Sequence, residues 1–161
     1  MRFPWDNKQT RQGILKEYKA PQAVYGSGAF KIFLAGTIDM GNSENWQEHV
    51  ARAFENKGIE IEILNPRRDD WDSSWKQTID DPQFYQQVTW ELNGMDKADY
   101  ILMNFLPDSK SPITLLELGL YADSGKLMVI CPNEFYRSGN VHIICERYNI
   151  PLFKSLEEIE I

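Results

Sequence analysis

Short, predominantly apolar runs that alternate with stretches of helical periodicity constrain this chain more than any other feature. Phe30-Lys-Ile-Phe-Leu-Ala35, Ile59–Leu64, Tyr100–Leu106 and Leu127–Cys131 read as buried strands, with Pro151–Phe153 as a fifth. Between them lie helical patterns. Ser43 is placed to cap a helix over Glu44–Asn56, with Trp46, Val50, Ala53 and Phe54 on one face and Lys57-Gly58 ending it. Pro82–Met95 carries Phe84, Val88, Leu92 and Met95 in register. Pro112–Ser124 follows, with Gly125 as its C′ residue, and then a shorter helix over Asn140–Arg147. Strands of this kind, regularly separated by helices, favour a parallel sheet covered on both faces. Right-handed crossovers then leave a single-domain, doubly wound α/β fold with five parallel strands in the order 2-1-3-4-5. The first 28 residues are polar and irregular, ending at Tyr25-Gly-Ser-Gly28. They read as an arm with a short helix around Gln12–Tyr18, leading into a domain over 29–161.

Charge narrows the partners. Seventeen basic against 24 acidic side chains leave −7, which opposes non-specific binding to nucleic acid or an anionic membrane. No apolar run approaches the ~18 residues of a membrane span, and the N-terminus lacks a signal-like apolar segment. Cys131 and Cys145 have no CxxC or His-spaced partner, so they read as buried thiols of a reducing compartment, and the expected location is the cytoplasm. His49 and His142 stand far apart in sequence without ligand-like neighbours. Neither a metal nor a cofactor is expected.

Ligands of such sheets bind beyond the carboxyl ends of the strands at the switch point. Gly36–Asn42 and Pro107–Ser111 should meet there, with Asn65–Trp71 on the same edge. Glu117, in Ser111-Pro-Ile-Thr-Leu-Leu-Glu-Leu-Gly-Leu120, is an acid among apolar residues. It is either half of a capping box with Thr114, an ordinary surface acid, or a nucleophile kept ionised by the helix N-terminus. Gly36, Thr37 and Asp39 form either a plain βα turn or a binding loop; the segment is not a GxGxxG fingerprint. Arg67 and Arg68 suit a phosphate, or equally a salt-bridge cluster with Asp69, Asp70 and Asp72. Trp71, Trp75 and Trp90 could stack on a base or belong to the core, and Glu91 reads as either a site acid or part of a solvated helix face.

Three segments carry a family resemblance: Phe33-Leu-Ala-Gly-Thr37, Trp90-Glu-Leu-Asn-Gly-Met-Asp-Lys-Ala-Asp99 and Leu116-Glu-Leu-Gly-Leu-Tyr-Ala-Asp-Ser-Gly-Lys126. Together they resemble the nucleoside 2-deoxyribosyltransferase family, in particular its short deoxyribosyltransferase-like branch with phage-type members. The resemblance spans roughly Lys31 to Leu156. It implies a flavodoxin-like sheet, a homodimer or higher homo-oligomer, and cleavage of the N-glycosidic bond of 2′-deoxynucleosides through a covalent deoxyribosyl-glutamate.

By that resemblance Glu117 matches the nucleophile and Glu91 the first base-contacting acid. Ser111 stands where the second acid would be, and Phe33 where a tyrosine touches the nucleophile. Asn140 matches an asparagine lent by a neighbouring subunit to the sugar 5′-hydroxyl. A related group hydrolyses nucleoside 5′-monophosphates, a task that Arg67 and Arg68 would suit. The expected enzyme therefore acts on a small nucleoside or nucleotide, by base transfer or hydrolysis, with Glu91 or Asp39 protonating the departing base. Gly36, Thr37, Arg67, Arg68, Trp90, Ser111 and Asn140 are its expected binding residues. The alternative from another class is a non-catalytic nucleotide-binding module of the same fold.

Overall fold

The computed structural model describes residues 2–8, 15–24, 29–38 and 43–159. Its strands are β1 (Leu15–Lys19), β2 (Lys31–Gly36), β3 (Ile61–Asn65), β4 (Tyr100–Asn104), β5 (Leu127–Ile130) and β6 (Leu152–Phe153). Its helices are α1 (Trp46–Asn56), α2 (Pro82–Lys97), α3 (Pro112–Tyr121) and α4 (Ser138–Tyr148). All strand pairs are parallel, in the order β1-β3-β2-β4-β5-β6. The stretch from β3 to β6 is the expected doubly wound order. A sixth strand, β1, extends the sheet beyond β3, pairing Leu15 with Ile61 through to Lys19 with Asn65.

β1 corrects the expectation of a short helix around Gln12–Tyr18 for Leu15–Tyr18, while positions 12–14 lie outside the described residues. Leu-Lys-Glu-Tyr-Lys has too few apolar residues to reveal itself alone, and its extended form comes from the open edge of β3, whose backbone groups need partners. The N-terminal segment also places Phe3 and Trp5 in the core, stacked at 5.2 Å, with Trp5 edge-on to Phe54 at 5.1 Å.

Strand alternation sorts the core into two layers. Ile32, Leu34, Leu102, Met128 and Ile130 face α1, the N-terminal aromatics and a 3-10 turn over Leu156–Ile159. Phe33, Ala35, Ile101, Met103 and Val129 face the other side, against α2, α3 and α4. Fully buried side chains as large as Phe33, Trp46 and Phe54 each contribute about 1.5–3 kcal/mol. Cys131 and Cys145 are free and buried in the second layer.

The helix ends differ from the sequence expectation in three places. α1 is capped by Asn45, whose side chain accepts from Glu48 N at 3.3 Å, while the Ser43 hydroxyl donates to Ile38 O at 2.7 Å. α3 stops at Tyr121 with Ala122 as its C-cap, so Gly125 (φ +74°) belongs to the turn into β5 rather than to the helix end. α4 begins at Ser138, two residues before Asn140. By contrast α2 starts at Pro82 as expected, and the structure adds its cap, the Asp81 carboxylate accepting from Gln83 N at 3.0 Å and Phe84 N at 3.1 Å. No helix among the described residues is long and apolar enough to cross a membrane.

Candidate active site

The carboxyl ends of β2 and β4 lie side by side, Gly36 paired with Asn104. Gly36 has φ +142°, and a Cβ there would stand 2.2 Å from the Asn104 carbonyl oxygen. Only glycine allows the two strand ends to approach this closely. The chain then delivers Thr37, whose N–H donates to Asn104 O at 3.1 Å and whose carbonyl accepts from the Trp46 indole at 3.0 Å. The Thr37 hydroxyl meets those of Ser109 (3.0 Å) and Ser111, which are themselves 2.8 Å apart. It also accepts from Leu106 N at 3.1 Å. Three hydroxyls thus knit the β2 loop to the β4–α3 loop.

Ser111 serves that cluster instead of its own helix. It is buried at the α3 N-cap with φ 45°, ψ 54°, and its side chain caps no helix N–H. A left-handed non-glycine residue at a helix start is strained, and such strain concentrates at functional loops.

Glu117 is the sixth residue of α3, and Ser111 rather than Thr114 occupies the cap. The expected capping box with Thr114 is therefore not formed. The carboxylate is buried, 7% exposed, and accepts no hydrogen bond among the described residues. It also lies beyond the first turn, where the helix dipole acts. Burial, reinforced by the charge of Glu91, pushes its pKa up to about 8. At that depth desolvation outweighs the helix dipole, so the charged form of Glu117 is disfavoured relative to a free carboxylate.

Glu91 comes from α2. Gly94, one turn later, lets α2 settle on β2: a Cβ at Gly94 would lie 2.8 Å from the Phe33 ring. Phe33 in turn packs against Trp90, ring centres 6.1 Å apart. Burial raises the pKa of Glu91 to about 7, opposed by a hydrogen bond from Gln87 Nε2 to its Oε1 at 3.0 Å. Tyr121, one turn beyond Glu117, donates to Asp96 Oδ1 on α2 at 2.8 Å and is itself raised, chiefly by burial. The two helices are thereby bolted together with two acids between them.

Other expected residues stand elsewhere or are already engaged. Arg67 donates to Glu44 O at 3.0 Å and Ser43 O at 2.7 Å, strapping the loop before α1. The Arg68 side chain is buried, held by both oxygens of Asp70 (2.9 and 3.1 Å) and by Gln86 at 3.3 Å, with Trp75 4.6 Å beneath it. The Trp90 indole donates to Gln22 O at 2.7 Å, so it anchors the N-terminal segment. Asn140 lines a groove of about 250 Å³ between α3 and α4, together with Leu115, Leu118 and Ile144. Asp39 lies outside the described residues. Two participants went unnoticed in the sequence, Ser109 and Gln87. The spacing of Gln87 four residues before Glu91 was the one available signal for the latter.

An open parallel α/β sheet, flanked by a buried acid from one helix and a half-buried acid from its neighbour, belongs to the classes that act on small ligands above strand ends. Residues 29–135 match the family model described as nucleoside 2-deoxyribosyltransferase like. The chain belongs to that family, and a related glycosyl-transfer role follows from the membership. No curated protein matches it.

Proposed function

We propose that this protein cleaves the N-glycosidic bond of 2′-deoxynucleosides or their 5′-monophosphates through a covalent deoxyribosyl ester on Glu117. The observation carrying this reading is the interacting pair itself, buried Glu117 from α3 and half-buried Glu91 from α2, both with raised pKa values. Two interacting carboxylates in a desolvated site resist ionising together, which favours a state of the pair with one proton and one negative charge. One of each is what the step consumes. A Glu117 oxygen attacks C1′, the C1′–N bond breaks, its electron pair goes to the base nitrogen, and the pair's proton passes through Glu91 to the base. Water or a second base then attacks C1′ and gives up a proton to Glu91, the C1′–O bond to Glu117 breaks to restore its carboxylate, and transfer to a base proceeds with retention at C1′. Net proton balance is preserved in both outcomes.

Nucleoside and monophosphate compete as substrates in this reading. Arg67 and Arg68 are engaged by protein groups, so a phosphate on them would have to displace Asp70 or the Ser43 and Glu44 carbonyls. The neutral nucleoside is therefore favoured. A binding module without turnover is the second reading, and one observation favours it. Ser111, standing where the family's second acid would be, has its hydroxyl spent on Thr37 and Ser109.

The oligomer also belongs to the proposal. Ile113, Leu116 and Leu120 leave an apolar stripe exposed on α3, continued by Ile143 and Tyr148 on α4. We place a second copy on this face, with its Asn140 completing the sugar site. Chromatographic assay of released base tests the chemistry, using each nucleoside and each monophosphate with and without an acceptor base. Base release that needs the acceptor identifies transfer, and release in water alone identifies hydrolysis. Unchanged turnover in Glu117→Gln removes the mechanism.

A further inference from the structure

Gln87 is a buried amide one helix turn before Glu91, on the same side of α2. Its Nε2 donates at 2.8 Å to the carbonyl of Pro66, the residue after β3, and at 3.0 Å to Glu91 Oε1. Both amide protons are therefore committed. Its Oε1 is buried with no hydrogen-bond partner among the described residues. Rotating the amide by half a turn would not relieve this, because it would set an oxygen against two acceptors. A residue serving only to fill the space between α2 and the β3–α2 loop would be better as a hydrocarbon, since an unpaired buried acceptor is destabilising. The arrangement makes sense when the two donated bonds matter more than the orphaned oxygen.

We infer that Gln87 is a positioning residue: by tying Glu91 to the Pro66 carbonyl it fixes the orientation of that carboxylate opposite Glu117. The inference rests on the proposed role of the Glu91–Glu117 pair. The titratable group that bears on this carboxylate from α3 is Glu117, with Tyr121 behind it. From α2 the neutral Gln87 amide bonds the carboxylate, and the β3–α2 loop reaches it through that amide, which is held by the Pro66 carbonyl. A donated hydrogen bond stabilises the ionised carboxylate, so its loss shifts Glu91 towards the protonated form.

The test follows Glu91 directly, by carbon NMR titration of labelled glutamate carboxyls in the full chain. A Glu117→Gln background lets Glu91 titrate without its partner. Adding Gln87→Met, close in shape but without donors, raises the Glu91 midpoint by about one unit if the tether exists. Gln87→Asn is too short to reach Glu91 and gives the same upward shift should the Met variant fail to fold. With Glu117 intact, Gln87→Met moves the alkaline limb of the base-release profile upward by a similar amount. An unmoved Glu91 midpoint in a folded variant, with only a lowered melting temperature, reduces Gln87 to a structural bolt and overturns the inference. The titration needs no turnover, so a chain that releases no base refutes the proposed activity while the tether to Glu91 still stands or falls on its own midpoint.

Discussion

A carboxylate beyond the first turn of a helix, without a donor and out of water, has its charged form disfavoured; Glu117 is in that position. The sign of the resulting pH dependence follows. Glu117 and Glu91 have folded pKa values above the ordinary 4.5, so the stability they contribute is present below about 4.5 and is lost as pH rises towards 7 to 8. Denaturant titrations across that window should show wild-type stability falling. Glu117→Gln should flatten the fall, keep the fold, and reduce base release by at least about a hundredfold. Ser111 offers a second test at this scale. Ser111→Ala keeps the left-handed backbone and loses the hydroxyl contacts, and should lower stability by about 1–2 kcal/mol in chemical denaturation. Ser111→Gly relieves the backbone and should sit nearer wild type. Glu117 could be singled out from the sequence because an acid amid Leu and Ile is conspicuous. The strain at Ser111 could not, since nothing in Lys-Ser-Pro specifies a positive φ.

The elements that position the site are the ends of β2 and β4 and the helices α2 and α3. Gly36→Ala should be among the most damaging single-methyl changes in the chain. Its Cβ meets Asn104 O at 2.2 Å and the Trp46 ring at 2.9 Å, and the backbone there is unsuited to L side chains. Thermal melting of this variant should show a loss of several degrees, about 2 kcal/mol or more. Most of this layer was legible. Apolar runs marked the five expected strands, and the helical register from Pro82 marked the start of α2. β1 was not legible, because a five-residue edge strand with three charged side chains takes its form from pairing with β3. The fate of Arg67 and Arg68 was equally hidden. Their identity fits a phosphate, and only the fold reveals that loop carbonyls and Asp70 already occupy them.

For the whole molecule the decisive surface is the apolar stripe on α3 and α4. Leu116 on α3 and Ile143 on α4 are 60% and 68% exposed, part of a contiguous apolar patch of the kind that marks an interface. Leu116→Arg and Ile143→Glu should convert the proposed homo-oligomer to a monomer in light-scattering chromatography and lower base release, while leaving the far-ultraviolet spectrum unchanged. Asn140→Ala should leave assembly intact and lower base release alone. A wild-type chain that is already monomeric contradicts this part of the account.

The proposed covalent ester on Glu117 can be sought without knowing the acceptor. Protein mixed with a deoxynucleoside, quenched in acid and digested, should yield the Glu117 peptide heavier by one deoxyribosyl group, and Glu117→Gln should yield none. Base release at wild-type rate by Glu117→Gln, or an adduct on another side chain, contradicts it.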